Sequence, residues 1–286
     1  MTTRRDLLLA LGALGAQTLL PRGAWAAAPA LAPALLTPLN GVGVQLYMLR
    51  QEMRRDPEAT IARIATLGFS EIEWWGAWER TPAQLRSLLD RHGLSSPAAH
   101  IDPADLTTAR LPALVERAEI MGHETLIVAW TPPTQRDADG WKRLAALLSE
   151  AGRTAARAGI RTGYHNHDFE FTDLGGRTAW EILLSETDPA FVSFELDCFW
   201  AFKAGQDPRA MIRRHGSRIT HLHLKDSSGA PEHRQRDVGS GVIDWRAILQ
   251  TGAEHHVRHA YVEHDEPADA WASAASSRGY LRTIGL

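Results

Sequence analysis

Eight short runs rich in β-branched and aromatic residues recur along the chain: GVGVQLYML (41–49), FSEIEWW (69–75), LSSPAAHI (94–101), ETLIVAW (124–130), RTGYHNH (161–167), FVSFELD (191–197), ITHLHLK (219–225) and HAYVEHD (259–265). Each reads as a strand. Between them lie segments with apolar residues at helical spacing, such as PEATIARIATLG, TPAQLRSLLDRHG, ARLPALVERAEIMG and WKRLAALLSEAGRTAARAG. Several close on the glycine expected just past a helix C-terminus. Eight strand–helix units with no glycine-rich phosphate turn after the first strand favour an α/β fold of the closed (β/α)8 TIM-barrel kind over an open doubly wound sheet.

The barrel domain is expected over residues 27–286, because residues 1–26 read differently. Arg4-Arg5 followed by Asp6-Leu7-Leu8, an apolar run to Leu20 and Ala24-Trp25-Ala26 resemble a twin-arginine export signal with its cleavage site. The run contains two glycines, Gln and Thr, and falls short of the ~20 residues a spanning helix needs. Membrane contact is therefore expected only during export, and the periplasm is the expected location. Cleavage would remove Arg4, Arg5, Arg22 and Asp6, moving the formal charge from −3 to about −5. A mildly acidic body gives no electrostatic reason for a nucleic-acid partner. Cys198 is the sole cysteine, so stability must come from a core or a bound metal rather than an internal disulfide. An oligomer is compatible with the sequence.

In a barrel of this kind catalytic groups collect where strands end and loops begin. Glu73, His100, His165, His167, Asp197, His221, His223 and Glu263 all fall near predicted strand ends. A single histidine there is usually a hydrogen-bonded structural residue; the coincidence across strands is what suggests a metal, since a divalent ion needs three or four converging N or O donors. Alternation along a strand puts His165 with His167, and His221 with His223, on one face.

YHNHDFEF, FELDCFWAFKAG, HLHLKD, DVGSGVIDW and YVEHDEP together resemble the xylose isomerase-like TIM-barrel family of sugar phosphate isomerases and epimerases, across the whole mature chain. The resemblance implies one divalent ion (Mn, Zn, Co, Fe or Mg) held by Asp197, His223 and Glu263. At the fifth-strand position many members carry Glu; His165 stands there, and is expected as fourth ligand. The family's nuclease branch adds a histidine three residues after the sixth-strand Asp and an Asp-x-His in the seventh loop. This chain has Trp200 and Asp237-Val238-Gly239 in those places, so a nuclease is not expected.

A metal that chelates a ketone and its neighbouring hydroxyl stabilises the enediolate from which isomerisation, epimerisation and β-elimination all begin. Glu263, His167, Glu170 and Lys225 are the candidates for proton transfer and oxyanion stabilisation; Glu73, His100, Trp200 and Arg236 are the candidates for substrate contact. Trp74, Trp75, Trp78, Trp130, Phe169 and Trp200 could offer flat faces to a sugar or simply pack, and adjacent Trp74 and Trp75 must point oppositely. The connection DSSGAPEHRQRDVGSGVIDW (226–245) is long enough to be a lid or binding loop. Sugar phosphates are chiefly cytoplasmic, so export points to an unphosphorylated keto sugar or keto-glycoside. The expected activity is a sugar isomerase or epimerase. The alternatives are a lyase or dehydratase on a 3-keto glycoside or inosose, and a carbohydrate-binding barrel without chemistry.

Overall fold

The computed structural model describes residues 39, 41–76, 79–255 and 257–286. The expected export signal and Trp78 lie outside the described residues. No helix among the described residues is long and apolar enough to cross a membrane.

Eight parallel strands close on themselves: β1 (Gly41–Gln45), β2 (Glu71–Trp74), β3 (Ser95–Ile101), β4 (Thr125–Val128), β5 (Arg161–His165), β6 (Val192–Asp197), β7 (Ile219–Leu224) and β8 (His259–Val262), with β8 pairing back onto β1. All eight lie within the predicted runs. The helices between them start on caps the sequence carries: Thr81 and Thr178 each close a capping box, and Asp137, Asp244 and Asp269 accept from the first turn. Gly122 and Gly159 end their helices at φ 78° and 75°, where a side chain would be strained.

The register divides each strand between two very different environments. Ile72, Leu126, Tyr164, Phe194, Leu196, Leu222, Leu224 and Val262 face outward into one continuous apolar layer beneath the helices. The inward positions, in register on neighbouring strands as Gly43 with Glu71, Gln45 with Glu73, His165 with Glu195, Asp197 with His223 and His221 with His259, are mostly polar. Among the described residues only Ala98, Ile127 and Tyr261 form an apolar cluster inside. Barrel interiors of this class are usually filled by branched apolar side chains; this one is filled by acids and imidazoles.

Even the lower half of the lumen follows that rule. The His259 Nδ1 lies 2.9 Å from Glu71 Oε2, and the His259 ring stacks on His221 at 4.8 Å. His221 thus belongs to the floor of the barrel and not to its mouth. Tyr261 fits because β1 has no side chain opposite it: a Cβ on Gly43 would lie 2.3 Å from the Tyr261 ring. Gly43→Ala should therefore cost ~1–3 kcal/mol by overpacking, read as a lower urea midpoint with an unchanged slope; an unchanged midpoint would mean that Tyr261 has room to move.

Candidate metal centre at the barrel mouth

The upper end of the lumen is built by the last residues of β5 to β8. Asp197 ends β6 and caps the helix Cys198–Lys203, its Oδ1 accepting from Trp200 N at 2.9 Å. Asn166, between the two histidines of β5, accepts from Asp197 N at 3.0 Å and so ties the fifth strand end to the sixth. These bonds leave Asp197 Oδ2 for cations: Lys225 Nζ at 3.0 Å, His223 Nδ1 at 3.8 Å and His165 Nε2 at 3.9 Å. Glu263 Oε2 completes the group, 2.9 Å from His223 Nδ1 and 2.6 Å from Lys225 Nζ. Asp197, His223 and Glu263, all buried, present donor atoms within 4.8 Å of one another.

Lys225 is the positive centre of this cluster, with Asp265 Oδ1 as a third carboxylate at 3.0 Å. Burial opposes its charge, but Asp197, Glu263 and Asp265 outweigh burial and hold the ammonium far above the usual lysine range. Burial would likewise raise Glu263, yet Lys225 and His223 keep it far below the usual carboxylate range. Asp197, for which burial dominates, is raised. Asp265 is placed by the long seventh loop: Gln235 donates to its carboxylate and accepts from its backbone N–H at 2.8 Å.

A second group lies one layer deeper: His100, His165, Glu195 and His223. Glu195 Oε2 receives His100 Nε2 at 2.8 Å, His165 Nδ1 at 3.0 Å and His223 Nε2 at 3.1 Å. Glu73 Oε2 receives His223 Nε2 and the Gln45 amide, both at 2.6 Å. The Gln45 amide is oriented by Tyr47 N, which donates to its Oε1, so its Nε2 faces His100 Nδ1 at 3.1 Å. That arrangement asks His100 to accept at Nδ1 and carry its proton on Nε2. Burial lowers the His100 pKa, but Glu73 and Glu195 push it up to about 9, and a charged ring also keeps the Nε2 proton. With Nε2 turned onto Glu195 and Nδ1 onto the Gln45 amide, both His100 nitrogens are engaged, and the deeper group serves the residues above it as a hydrogen-bonded support.

The support has a consequence for the residues above. His165 is held neutral by burial, with His223, His167 and His100 adding to the effect. A neutral ring that donates Nδ1–H to Glu195 keeps its lone pair on Nε2, the nitrogen nearer Asp197. His223 is clamped from both sides, its Nε2 by Glu73 and Glu195 and its Nδ1 by Glu263. A carboxylate behind an imidazole fixes the ring and raises its basicity as a ligand. The donor set Asp197, His223, Glu263 and His165 thus fits a divalent ion, with three carboxylates against one ammonium at the mouth.

Other expected site residues fall in different places. Glu73 and His100 are in the support and not at the surface where substrate would arrive. Glu170 is buried beneath its loop, with Tyr164 OH donating to one oxygen at 2.6 Å and His167 N to the other at 2.8 Å. Tyr164 faces outward, so Glu170 braces the loop from outside the lumen and is not placed for proton transfer at the mouth. Arg236 is exposed on a two-residue ribbon, where Gln235–Arg236 pairs antiparallel with Asp226–Ser227. Trp200 does reach the mouth, 5.9 Å from Lys225 Nζ, and His167 lies 5.5 Å from it. Of the tryptophan pair, Trp74 is buried in the outer core, whereas Trp75 packs edge-on against Tyr47.

The seventh loop owes its shape to Asp226, whose buried carboxylate accepts from Ser227 N, Gly239 N, Ile243 N and Trp245 Nε1 at 2.8–3.0 Å. A Cβ on Gly241 would lie 2.3 Å from that carboxylate. The DVGSGVIDW motif therefore serves the loop's own fold, and the segment is a pinned strap.

A sequence profile of the xylose isomerase-like TIM barrel matches residues 61–280. The chain belongs to the xylose isomerase-like TIM-barrel family. Within that family it is 24% identical over 266 residues to an inosose dehydratase of Lacticaseibacillus casei, covering 78% of this chain and 88% of the relative. A sugar phosphate isomerase/epimerase from Parabacteroides distasonis superposes with a TM-score of 0.71 at 25% identity, over 84% of this chain and 93% of the other. The zinc-bound IolI protein shares the fold, with a TM-score of 0.66 at 14% identity over 86% of this chain and 98% of the other.

Glu170 supplies a pH test of the loop. Burial raises its pKa to about 8, against the opposing bond from Tyr164. Because the folded pKa lies above the unfolded one, the folded chain holds a proton the unfolded chain releases, and stability is lost as pH rises from ~4.3 through 8. Glu170→Gln puts a neutral group in the same place, its oxygen accepting from His167 N and its amide donating to the Tyr164 hydroxyl oxygen. Urea midpoints should match wild type at pH 4 and exceed it at pH 9; a constant difference across the range would contradict the assignment.

Proposed function

We propose that this chain is a divalent-metal-dependent enzyme that enolises an unphosphorylated keto sugar or keto-glycoside, acting as an isomerase or epimerase. The observation that carries this reading is the convergence of Asp197, His223 and Glu263, with the neutral His165, at a barrel mouth where carboxylates outnumber the Lys225 ammonium. When bound, the ion (Mn, Zn, Co, Fe or Mg) supplies Lewis-acid polarisation of the ketone oxygen and the neighbouring hydroxyl.

The chain's own residues account for the rest. Lys225, permanently charged, donates to oxygen that gains negative charge as the carbon beside the ketone loses its proton. His167 is the group best suited to carry that proton. Burial, with Lys225 next in effect, lowers its pKa to about 3, so the ring is neutral at working pH. Its Nδ1 is buried with no hydrogen-bond partner among the described residues. Glu263, held ionised by Lys225 and His223, acts as ligand, and it faces the mouth from the opposite side as the second proton-transfer group that inversion needs. Of the nearby cations, Lys203 is paired with Asp168 at 2.9 Å, and Arg136 bonds the Thr131 carbonyl through Nε at 2.8 Å while its buried Nη2 has no hydrogen-bond partner among the described residues. A substrate without phosphate is proposed from the start of the chain, which resembles a twin-arginine signal and from which we propose that the mature enzyme is periplasmic.

The similarity to an inosose dehydratase favours a second outcome of the same first step. Loss of a hydroxyl from the carbon beyond the enolised centre, with its protonation to water, would make the enzyme a lyase.

Incubating the metal-loaded enzyme with keto sugars and 3-keto glycosides in deuterated water, followed by NMR, tests both. Deuterium should enter beside the ketone, and the product identifies isomerase, epimerase or lyase; no exchange with any candidate would sink the proposal. Asp197→Asn and Glu263→Gln should each abolish exchange and lose most of the bound metal measured by mass spectrometry. His165→Ala should weaken metal binding about 10–100-fold; unchanged affinity would remove it from the ligand set.

Lys225→Met should lower stability by ~3–5 kcal/mol in the presence of chelator, because it strands buried carboxylates. The loss should shrink when Zn or Mn is added, as read by thermal melting; an equal loss with and without metal would show that the ion does not bind these carboxylates.

A further inference from the structure

From Lys225 a wall of rings leads outward along one side of the mouth. Trp200 comes first, then His167, with Phe169 stacked on His167 at 5.3 Å and an interplanar angle of 12°. Trp130, from the loop after β4, stands at the outer end, 5.4 Å from His167 and 5.5 Å from Phe169, both edge-to-face. It is 52% exposed, the largest exposed apolar side chain among the described residues.

Trp130 is nevertheless held in place. The Arg136 guanidinium lies 4.5 Å from its ring centre and 3.4 Å from that of Phe169, and is itself bonded to the Thr131 carbonyl. An indole braced on one side and open on the other is a preformed platform for a flat apolar face. Along this wall three buried polar atoms have no hydrogen-bond partner among the described residues: His167 Nδ1, Trp200 Nε1 and Arg136 Nη2. A ligand crossing this stretch must carry groups able to hydrogen-bond with them, which fits the hydroxyls of a sugar.

We propose that Trp130 forms a second binding subsite, and that the enzyme's substrate is a glycoside of at least two rings. The reacting keto sugar rests between Lys225 and Trp200, and the ring joined to it stacks on Trp130. Two ring-to-ring steps separate Trp200 from Trp130, so one ring lying on Trp200 does not also cover Trp130. The open aromatic face of Trp130 fits the C–H face of a pyranose or an aryl aglycone, which share that flat apolar surface. The inference rests on the reading of the mouth as a keto-sugar site.

The test compares deuterium exchange, as kcat/KM, on 3-keto-glucose, 3-keto-cellobiose and p-nitrophenyl 3-keto-β-glucoside. Wild type should prefer the two-ring substrates. Trp130→Ala should lower kcat/KM for them by about fivefold to tenfold, with 3-keto-glucose unchanged within about twofold, and Trp130→Phe should restore most of the loss. Whichever two-ring compound is affected identifies the second ring as glycosyl or aryl. Equal losses on all three, or no wild-type preference, would overturn the subsite.

Saturation-transfer NMR with cellobiose and p-nitrophenyl β-glucoside reads the subsite without chemistry. Saturation of the second ring that disappears in Trp130→Ala supports it even if no keto substrate exchanges, in which case the proposed reaction falls alone. Absence of such saturation beside active exchange on 3-keto-glucose removes the subsite and leaves the reaction standing.

Discussion

The contact on which the barrel mouth depends is that of the Lys225 ammonium with Asp197, Glu263 and Asp265, at 3.0, 2.6 and 3.0 Å. Buried carboxylates so close together repel one another and lose hydration, and a lone ammonium offsets only part of that cost. The remainder must be met by other positive charge. Without the ion His223 supplies some, raised far above its usual range by Glu195, Glu73 and Glu263 despite burial; as a ligand it would release the proton on Nδ1, the ion taking over that charge. A divalent ion would supply more, and at the oxygens that Lys225 already marks as cation-seeking.

This charge distribution explains why the lumen is polar all the way down. A ligand imidazole at the mouth needs its second nitrogen satisfied, and in a closed barrel water cannot do it; Glu195 and Glu73 do. Those acids need donors in turn, which His100 and Gln45 provide, and the Gln45 amide is fixed by a backbone N–H. Each layer orients the one above, so the apolar packing that normally fills a barrel is replaced by a network in which most polar atoms are paired. The structural core is displaced outward, into the layer between strands and helices.

The fold was legible because its signals are local. Strand runs, helix caps and terminal glycines each act within a few residues, and strand alternation correctly placed His165 with His167 and His221 with His223. The mouth was legible in part: Asp197, His223 and Glu263 arrive together as their strand positions suggested. Height along the barrel axis was not, because it depends on the stagger of neighbouring strands, which no single run encodes. His221 is therefore at the floor, Glu73 and His100 are in the support, and Glu195 went unnoticed although it lies two residues before Asp197 on the same face. That alternation was the one signal that could have found it. The positions of Glu170 and the DVGSGVIDW loop were not legible for another reason: their partners, Tyr164 and Asp226, make buried contacts that carry no chemical signature in the sequence.

The support also bears on which ion the proposed centre would prefer. At the fifth strand the family resemblance implies a carboxylate in many members, where this chain has His165, a neutral nitrogen whose lone pair is set by Glu195. The resulting donors are two imidazoles and two carboxylates, a set that suits Zn, Co, Fe or Mn better than the all-oxygen surroundings Mg favours. The neutral nitrogen also lowers repulsion against Asp197 and leaves Lys225 as a permanent neighbour of the ligand oxygens. In the proposed centre a preference for a borderline ion and a fixed ammonium beside the ligand oxygens thus both go with a neutral donor at His165, whose orientation is set by a buried acid one layer below.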